Sequence, residues 1–122
     1  MARFDKSRRV RRRGDFQQVF DRGARVHGRY MTVLTAAAPG AHCRLGIVAS
    51  KKLGGAVVRN KAKRLIREVF RNNPPSVEPA VDILVIPRRE LLTANYPDIE
   101  DDFKSVCRRV ATRAIPAGPR RR

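Results

Sequence analysis

The residues best suited to chemistry in this sequence are the cations of the stretch 50–71, which reads SKKLGGAVVRNKAKRLIREVFR. Eight basic residues stand there against one acid, Glu68. On a wheel with about 100° per residue, one helical face collects Arg59, Asn60, Lys63, Arg64, Arg67 and Arg71. Like charges three or four positions apart repel one another, so the pattern predicts a bound polyanion that offsets the repulsion. A solvated amphipathic helix is the simpler alternative.

The other cations of this stretch extend the same prediction. Lys51 and Lys52 precede a flexible Gly54-Gly55 pair, and Lys61 lies on the far flank of the helix. Arginine suits phosphate because its planar fork donates two parallel hydrogen bonds, and Asn60 can bind a base edge or a sugar hydroxyl.

No set of residues in the sequence predicts a catalytic site. Residues 98–102 hold four acids, but acids packed into one helical turn point in different directions, whereas two-metal hydrolysis needs convergent carboxylates. Stabilisation of a helix N-terminus explains these acids better. Two histidines and two distant cysteines, Cys43 and Cys107, make neither a nucleophile–base pair nor a zinc site. We expect a protein that binds but does not catalyse, with no metal ligands of its own.

Several further elements are predicted to surround the basic helix. Its apolar face, from Val58 to Phe70, predicts a helix over 58–70 that packs on a core. An earlier helix over 14–22 ends at Gly23 and carries Phe16 and Phe20 on one face. These two rings either fill the core or form a platform on which single-stranded bases stack.

Three stretches read as strands. Residues 29–37 and 43–50 are rich in β-branched residues and flank a Pro39-Gly40 turn, so they could pair as an antiparallel hairpin. The apolar run 81–86 predicts a strand buried on both faces and ended by Pro87. A last helix is expected to begin near Tyr96-Pro97, with acids in its first turn and arginines later, the polarity that the helix dipole favours.

Composition sets the class of protein. With 122 residues and a net charge of +17, the chain suits one domain that binds nucleic acid. It has no apolar run long enough for a membrane span and no secretory signal, so we expect a cytoplasmic protein. We expect residues 1–13 to be a mobile basic arm that contacts RNA through Arg9, Arg11, Arg12 and Arg13, and residues 115–122 to be a mobile basic tail.

The central stretch resembles the signature of the protein subunit of bacterial ribonuclease P, an Arg-Asn-Arg run followed by Lys-Arg and a further Arg. The matching residues here are Arg59-Asn60-Lys61, Lys63-Arg64 and Arg67. Lys61 and Gly55 depart from the usual Arg and Asn without removing positive charge. The resemblance extends to the helix around Phe16 and Phe20, the strand 82–86 and the helix 96–109.

The resemblance implies a single-domain α/β sandwich. Its four-stranded sheet is mainly antiparallel, with about three helices and a left-handed β-α-β crossover through the basic helix, a handedness found in only about 2% of parallel crossovers. This handedness is not derivable from the periodicity of the sequence.

The resemblance also implies partners. A catalytic RNA subunit binds Mg²⁺ and removes the 5′ leader from precursor tRNA. The protein binds that RNA through its basic helix and the leader in a cleft lined by Phe16, Phe20 and, in place of a frequent aromatic, Leu34. No membrane and no small-molecule substrate is implied. Two alternatives stay open on the residues alone: a basic ribosomal or RNA-chaperone protein, and a protein-only metal-dependent nuclease.

Overall fold

The computed structural model describes residues 9–10, 13–38, 43–75 and 80–114, and the elements follow one another within these ranges. Four strands and three α-helices are formed, with a short 3₁₀ helix at Arg89–Thr93. The helices are α1 (Arg13–Arg22), α2 (Ala56–Asn72) and α3 (Tyr96–Ala114). The strands are β1 (Ala24–His27), β2 (Met31–Ala37), β3 (Arg44–Ile47) and β4 (Val81–Pro87).

The four strands form one mixed sheet in the order β1-β2-β4-β3. β2 pairs antiparallel with both β1 and β4, whereas β3 runs parallel to β4. The predicted hairpin of β2 with β3 is therefore wrong, because β4 inserts between them. Parallel neighbours need a long crossover, and here α2 supplies it. The left-handedness of that crossover stays an expectation from the resemblance.

The sheet is covered on both faces, and β4 alternates between the two cores. Ile83 and Val85 face the larger core, where α2 contributes Ile66 and Phe70, and α3 contributes residues such as Phe103. The rings of Phe70 and Phe103 meet edge to face, with centroids 6.4 Å apart. Leu84 faces the smaller core beneath α1, which contains Val10, Val19, Leu34 and Leu84. The strand buried on both faces and the three helices were correctly predicted.

A buried ion pair fixes the register of β3 against β4. The guanidinium of Arg44 donates from Nε and Nη2 to the two carboxylate oxygens of Asp82, at 2.8 Å and 2.6 Å. Asp82 is 3% exposed, so its charge is stabilised by this fork rather than by water. The pair lies on the same side of the sheet as α1, because Asp82 neighbours the inward-facing Leu84 two positions along the strand.

Side-chain hydrogen bonds define the C-terminus of α2 and the N-terminus of α3. Asn73 ends α2, and its side-chain amide donates to the carbonyl of Val69 at 3.0 Å. The same amide donates to the Glu100 carboxylate at 2.8 Å, which joins the end of α2 to the first turns of α3. Asn95 caps α3 by accepting the backbone N–H of Asp98 at 3.0 Å.

Candidate RNA-binding surface

Helix α2 presents its cations in two stripes that differ in exposure. Arg59, Lys63 and Arg67 are spaced four residues apart and are half-buried. The outer stripe is exposed and contains the cations Arg64 and Arg71 together with Asn60, and Lys61 is exposed on the far flank of the helix. The apolar residues Ala62, Ile66, Val69 and Phe70 are buried on the opposite side, as the wheel predicted. The packing of the helix thus holds the cations at the surface without any acid in the first turn.

One cation of the inner stripe, Arg59, has a donor without a hydrogen-bond partner among the described residues. This donor is its Nε, which is buried. A buried donor without a partner is unfavourable, so a ligand that accepts from this guanidinium would be bound more tightly. A phosphate oxygen is such an acceptor.

The loop before α2 places two further lysines beside the helix. The buried side chain of Leu53 anchors the loop, whereas Lys51 and Lys52 are exposed. Gly54 adopts φ +150°, a conformation that L side chains rarely adopt, so a glycine is required there to turn the chain into the helix. Gly55 is the N-cap and offers no side-chain cap.

A cavity of about 130 Å³ opens between α1, the edge strand β3 and the inner stripe of α2. Its lining combines apolar side chains such as Phe16 and Val10 with the cations Lys63 and Arg67 of α2. The lining residues are Arg9, Val10, Phe16, Leu45, Gly46, Ile47, Lys63 and Arg67. The structure thus brings one of the predicted phenylalanines together with three of the predicted cations, two from α2 and Arg9 from the arm.

The other two residues assigned to the cleft lie elsewhere. Phe20 is 40% exposed, so its ring is open to solvent, but it is not among the residues that line the cavity. Leu34 is 1% exposed and packs in the smaller core with Val19 and Leu84. Its assignment as a cleft-lining residue is corrected accordingly, because α1 covers its side chain. Leu34 supports the helix that carries Phe16 and Phe20.

The N-terminal arm is described only in part. Arg9 is exposed, lines the cavity and forms a parallel bridge with Leu45 of β3, so it is attached to the sheet edge. Arg13 is exposed at the start of α1. Arg11 and Arg12 lie outside the described residues, as do residues 1–8 and the tail 115–122.

Sequence reasoning missed a second group of cations at the end of the sheet. Arg88 and Arg89 follow β4 directly and are exposed, and Arg89 donates to the carbonyl of Lys52 at 3.5 Å. Arg29 is exposed nearby in the β1–β2 turn, where its guanidinium lies 5.6 Å from the ring centroid of Tyr30. The available signal was the Arg88-Arg89 pair directly after a strand-ending proline.

Two of the four acids at the start of α3, Glu100 and Asp102, have structural roles. Asp102 accepts the backbone N–H groups of Arg29 and Tyr30, at 2.9 Å and 2.8 Å, which fixes the β1–β2 turn. Glu100 accepts from Asn73. Among the described residues, no group of three or more His, Cys, Asp or Glu side chains is placed to hold a metal ion. Stabilisation of the helix N-terminus by negative charge therefore explains only part of why these acids are present.

The two cysteines are free thiols, and both pack at the edge of the larger core. Burial raises the pKa of the Cys107 thiol to about 12, with a smaller contribution of the same sign from Cys43 and an opposing one from Arg108. A thiol with so high a pKa is neutral at physiological pH and is a poor nucleophile. No helix of the described part of the chain has the length and apolar character needed to cross a bilayer.

This geometry defines a class of protein: a small, strongly basic α/β sandwich whose cations along one helix and beside an adjoining cleft suit a polyanion. Comparison with known proteins makes the class specific. The family model for ribonuclease P matches residues 4–111. The chain belongs to the ribonuclease P protein component family, whose members act in tRNA processing with the ribonuclease P RNA.

Individual relatives agree with this assignment. A ribonuclease P protein component from Geobacillus kaustophilus is 36% identical over 105 residues, which cover 85% of this chain and 87% of the relative. The ribonuclease P protein of Staphylococcus aureus is 38% identical, with a TM-score of 0.74 over 84% of this chain and 94% of that one. The protein from Thermotoga maritima is 34% identical, with a TM-score of 0.75 over 84% and 96% of the respective chains.

Proposed function

We propose that this chain binds the catalytic RNA of ribonuclease P through α2 and the 5′ leader of precursor tRNA through the adjoining cleft. The observation that carries the proposal is the contiguity of these surfaces, since Lys63 and Arg67 belong both to the basic helix and to the cavity that Phe16 lines. One strand of single-stranded RNA can then meet an aromatic ring and phosphate-binding cations together.

Catalysis is assigned to the RNA subunit, which holds the Mg²⁺ ions of the reaction. The protein contributes positive charge, which raises affinity for the anionic precursor and lowers the repulsion between two RNAs. Both RNAs are cytoplasmic partners, so the protein acts in the cytoplasm. The experiment below distinguishes this function from those of a protein-only nuclease and of an RNA chaperone.

The test is single-turnover cleavage of precursor tRNA by the protein alone, by the catalytic RNA alone and by the reconstituted complex. We expect no cleavage with protein alone, and faster cleavage or tighter precursor binding when protein joins the RNA. Cleavage by the protein alone would identify a protein nuclease. A gain that is equal for precursors with and without a leader would identify a general RNA chaperone.

Phe20→Ala tests whether the leader also extends beyond the cavity onto the exposed ring of Phe20, on the same helix as Phe16. We expect weaker binding of leader-bearing precursor by about 1–3 kcal/mol, the contribution of one base stacked on an aromatic ring, and unchanged binding of mature tRNA. Because Phe20 is 40% exposed, thermal stability should change little. Gln18→Ala, an exposed position on the same helix, is the control. Equal losses for both RNAs, or a large drop in melting temperature, would make Phe20 a core residue.

A further inference from the structure

Three arginines from separate elements converge on the β1–β2 turn, far from the cavity. Arg29 lies in the turn, Arg88 follows β4 and Arg109 lies on α3, and all three side chains are exposed. The turn adjoins the edge strand β1, whereas the cavity adjoins the opposite edge strand, β3. With about 4.8 Å between neighbouring strands, about 10–14 Å of sheet separates the two places.

The turn that these arginines surround is held between α3 and β4. A Cβ at Gly28 would lie 2.6 Å from Cγ2 of Val106, so the turn and α3 are in direct contact through the glycine backbone. On the other side, the backbone N–H of Arg88 donates to the carbonyl of Tyr30 at 2.9 Å. The backbone that positions the three side chains is therefore fixed from both neighbouring elements.

Each guanidinium is oriented by a contact with the turn. Nη1 of Arg88 donates to the carbonyl of Gly28 at 3.4 Å. Nη1 of Arg109 donates to the carbonyl of His27 at 3.2 Å. The guanidinium of Arg29 lies 5.6 Å from the centroid of the tyrosine ring that follows it in the chain. Because a guanidinium carries five N–H donors, each of these groups keeps donors for the oxygens of a phosphate.

The acids beside the turn leave this positive charge largely in place. Oε1 of Glu90 lies 4.0 Å from Nε of Arg88, but the two side chains are 61% and 46% exposed, so the pair is weak. Asp102 directs both carboxylate oxygens to backbone N–H groups of the turn. Within the described part of the chain, neither Arg29 nor Arg109 forms an ion pair. An anionic ligand can therefore bind to both.

The surface around the turn offers cations without an open aromatic ring. Tyr30 is half-buried against Arg29. The exposed large apolar side chains of the described residues, Phe20 and Val57, belong to α1 and α2. Single-stranded RNA is bound largely through bases that stack on aromatic rings, and such rings are not offered here. Helical RNA keeps its bases stacked and is bound through its phosphates and 2′-hydroxyl groups, which suits the three arginines.

We infer that Arg29, Arg88 and Arg109 form a second RNA site, which binds the phosphate backbone of a helical RNA segment. The inference goes beyond the proposed function, because the site contains no residue of α2 or of the cavity. Helical segments occur both in a catalytic RNA and in the body of tRNA, and the backbone presented to the arginines is the same in each. The protein thus contacts helical RNA at one edge of the sheet and the leader at the other.

The experiment compares two charge-matched double variants of the full chain. Arg29→Gln with Arg109→Gln removes two cations of the site. Lys104→Gln with Arg108→Gln removes the same charge from exposed positions of α3 and is the control. Lys104 lies about 140° around the helix from Arg109, at about 100° per residue. The probes are an RNA hairpin of about 16 base pairs and a single-stranded RNA with the same number of phosphates.

The site variant should lose affinity for the hairpin about tenfold or more, since two charge-assisted contacts are removed. The slope of log K against log salt should become shallower by somewhat less than two units for the hairpin. Binding of the single strand should change only slightly. The control variant should bind both probes as the unmodified protein does. Equal losses in the two variants, or a loss confined to the single strand, would overturn the inference.

The reconstituted complex distinguishes the two sources of helical RNA. Weaker binding of the catalytic RNA by the site variant assigns the site to that RNA. Unchanged binding of the catalytic RNA, with equal losses for precursor and mature tRNA, assigns it to the body of tRNA. A loss seen only with leader-bearing precursor would overturn the inference, because the arginines would then bind single-stranded RNA. Unchanged binding in every arm would overturn it as well, with the proposed function left intact.

Arg29→Gln alone covers the case in which the double variant fails to fold. The guanidinium of Arg29 is exposed and forms no hydrogen bond within the described residues, so the melting temperature should change little. The variant should bind the hairpin more weakly than the unmodified protein, and Arg29→Lys, which keeps the charge, should restore most of the affinity. Unchanged hairpin affinity in folded Arg29→Gln protein would overturn the inference.

Discussion

Asp102 is the residue whose role is most different from what its neighbourhood in the sequence suggested. It stands in a run of acids at the start of α3, yet its carboxylate accepts two backbone N–H groups from a turn more than seventy residues earlier in the chain. Ionised carboxylates form strong hydrogen bonds with backbone amides, and these two fix the turn that leads into β2. Composition alone could not separate Asp102 from Asp101.

This contrast gives a stability prediction with a matched control. Asp102→Asn can accept through only one oxygen, so we expect a loss of about 1–3 kcal/mol in the free energy of unfolding. Asp101→Asn removes the same charge from an exposed neighbour and should change stability by no more than about 0.5 kcal/mol. Denaturation in urea measures both. Equal losses would show that negative charge near the start of α3, rather than the contact with the β1–β2 turn, determines the stability.

Cys107 provides a second prediction at the same scale. Because burial raises its pKa to about 12 from 9.0, the thiolate fraction at pH 8 falls by about three orders of magnitude. We expect alkylation of Cys107 by iodoacetamide at pH 8 to be slower in the native protein than in the denatured chain by about that factor. Mass spectrometry of the Cys107 peptide measures it, with guanidinium-denatured protein as the control. Comparable rates in both states would contradict the raised pKa.

The same shift has a consequence for pH stability. The folded state holds the Cys107 proton more tightly than the unfolded chain, so its contribution to stability is complete below pH 9. It should be lost as the pH rises from about 9 towards 12. Cys107→Ala should flatten this alkaline decline, apart from effects of other groups that titrate there. An identical decline in both proteins would exclude Cys107 as its source.

At the scale of elements, the sequence pattern predicted the helices more accurately than the pairing of the strands. The spacing of Val58, Ile66 and Phe70 predicted both ends of α2 to within two residues. The terminating Gly23 predicted the end of α1. β1 escaped notice because Ala24–His27 is four residues long and buries only Val26. The prediction of a β2–β3 hairpin was wrong because an alternating pattern indicates a strand but does not indicate which strand it pairs with. The strand that lies between β2 and β3 is β4, which comes later in the chain.

The candidate site, like the fold, could be predicted from the sequence only in part. Charge periodicity placed the cations of α2 on one side of the helix, but it could not say which of them line a cavity, since that depends on how β3 and α1 approach. Leu34 was assigned to the cleft only because the resemblance places a frequent aromatic at that position, and the resemblance does not show that α1 covers the side chain here. Arg88 and Arg89 were missed because two cations after a strand form no periodic pattern.

The basic helix itself yields a prediction on salt dependence. If α2 and the arm neutralise about six phosphates, the logarithm of the binding constant should fall with the logarithm of salt concentration with a slope of about −4. Arg59→Ala, Arg64→Ala and Arg67→Ala should each make the slope shallower by somewhat less than one unit. Lys104→Ala, an exposed cation of α3, is the control and should leave the slope unchanged. Three unchanged slopes would remove α2 from the interface.

At the scale of the whole molecule, the net charge of +17 opposes the folding of a small domain. We expect the free protein to be marginally stable at low ionic strength and to gain order with sulfate. An anion at 100 times its dissociation constant contributes about 2.7 kcal/mol, a large part of the stability of such a domain. Thermal melts followed by circular dichroism measure the gain.

Sodium chloride at equal ionic strength is the control for that experiment, because it screens charge without a divalent oxyanion to bind. A larger shift with sulfate identifies bound anions, and equal shifts identify screening alone. A high melting temperature in low salt, unmoved by either salt, would contradict the prediction that self-repulsion limits the stability of the free protein.

The order of strands in the sheet also governs how the chain can fold during its synthesis. β4 is the last strand to be translated, yet it is the one that joins β2 to β3. At about 5–20 residues per second, the ribosome takes several seconds to proceed from the end of β3 to the end of β4. During that interval β3 lacks its partner strand β4, and the basic helix has already been made. The nascent chain therefore contains its basic helix before β4 is available to complete the core against which that helix packs.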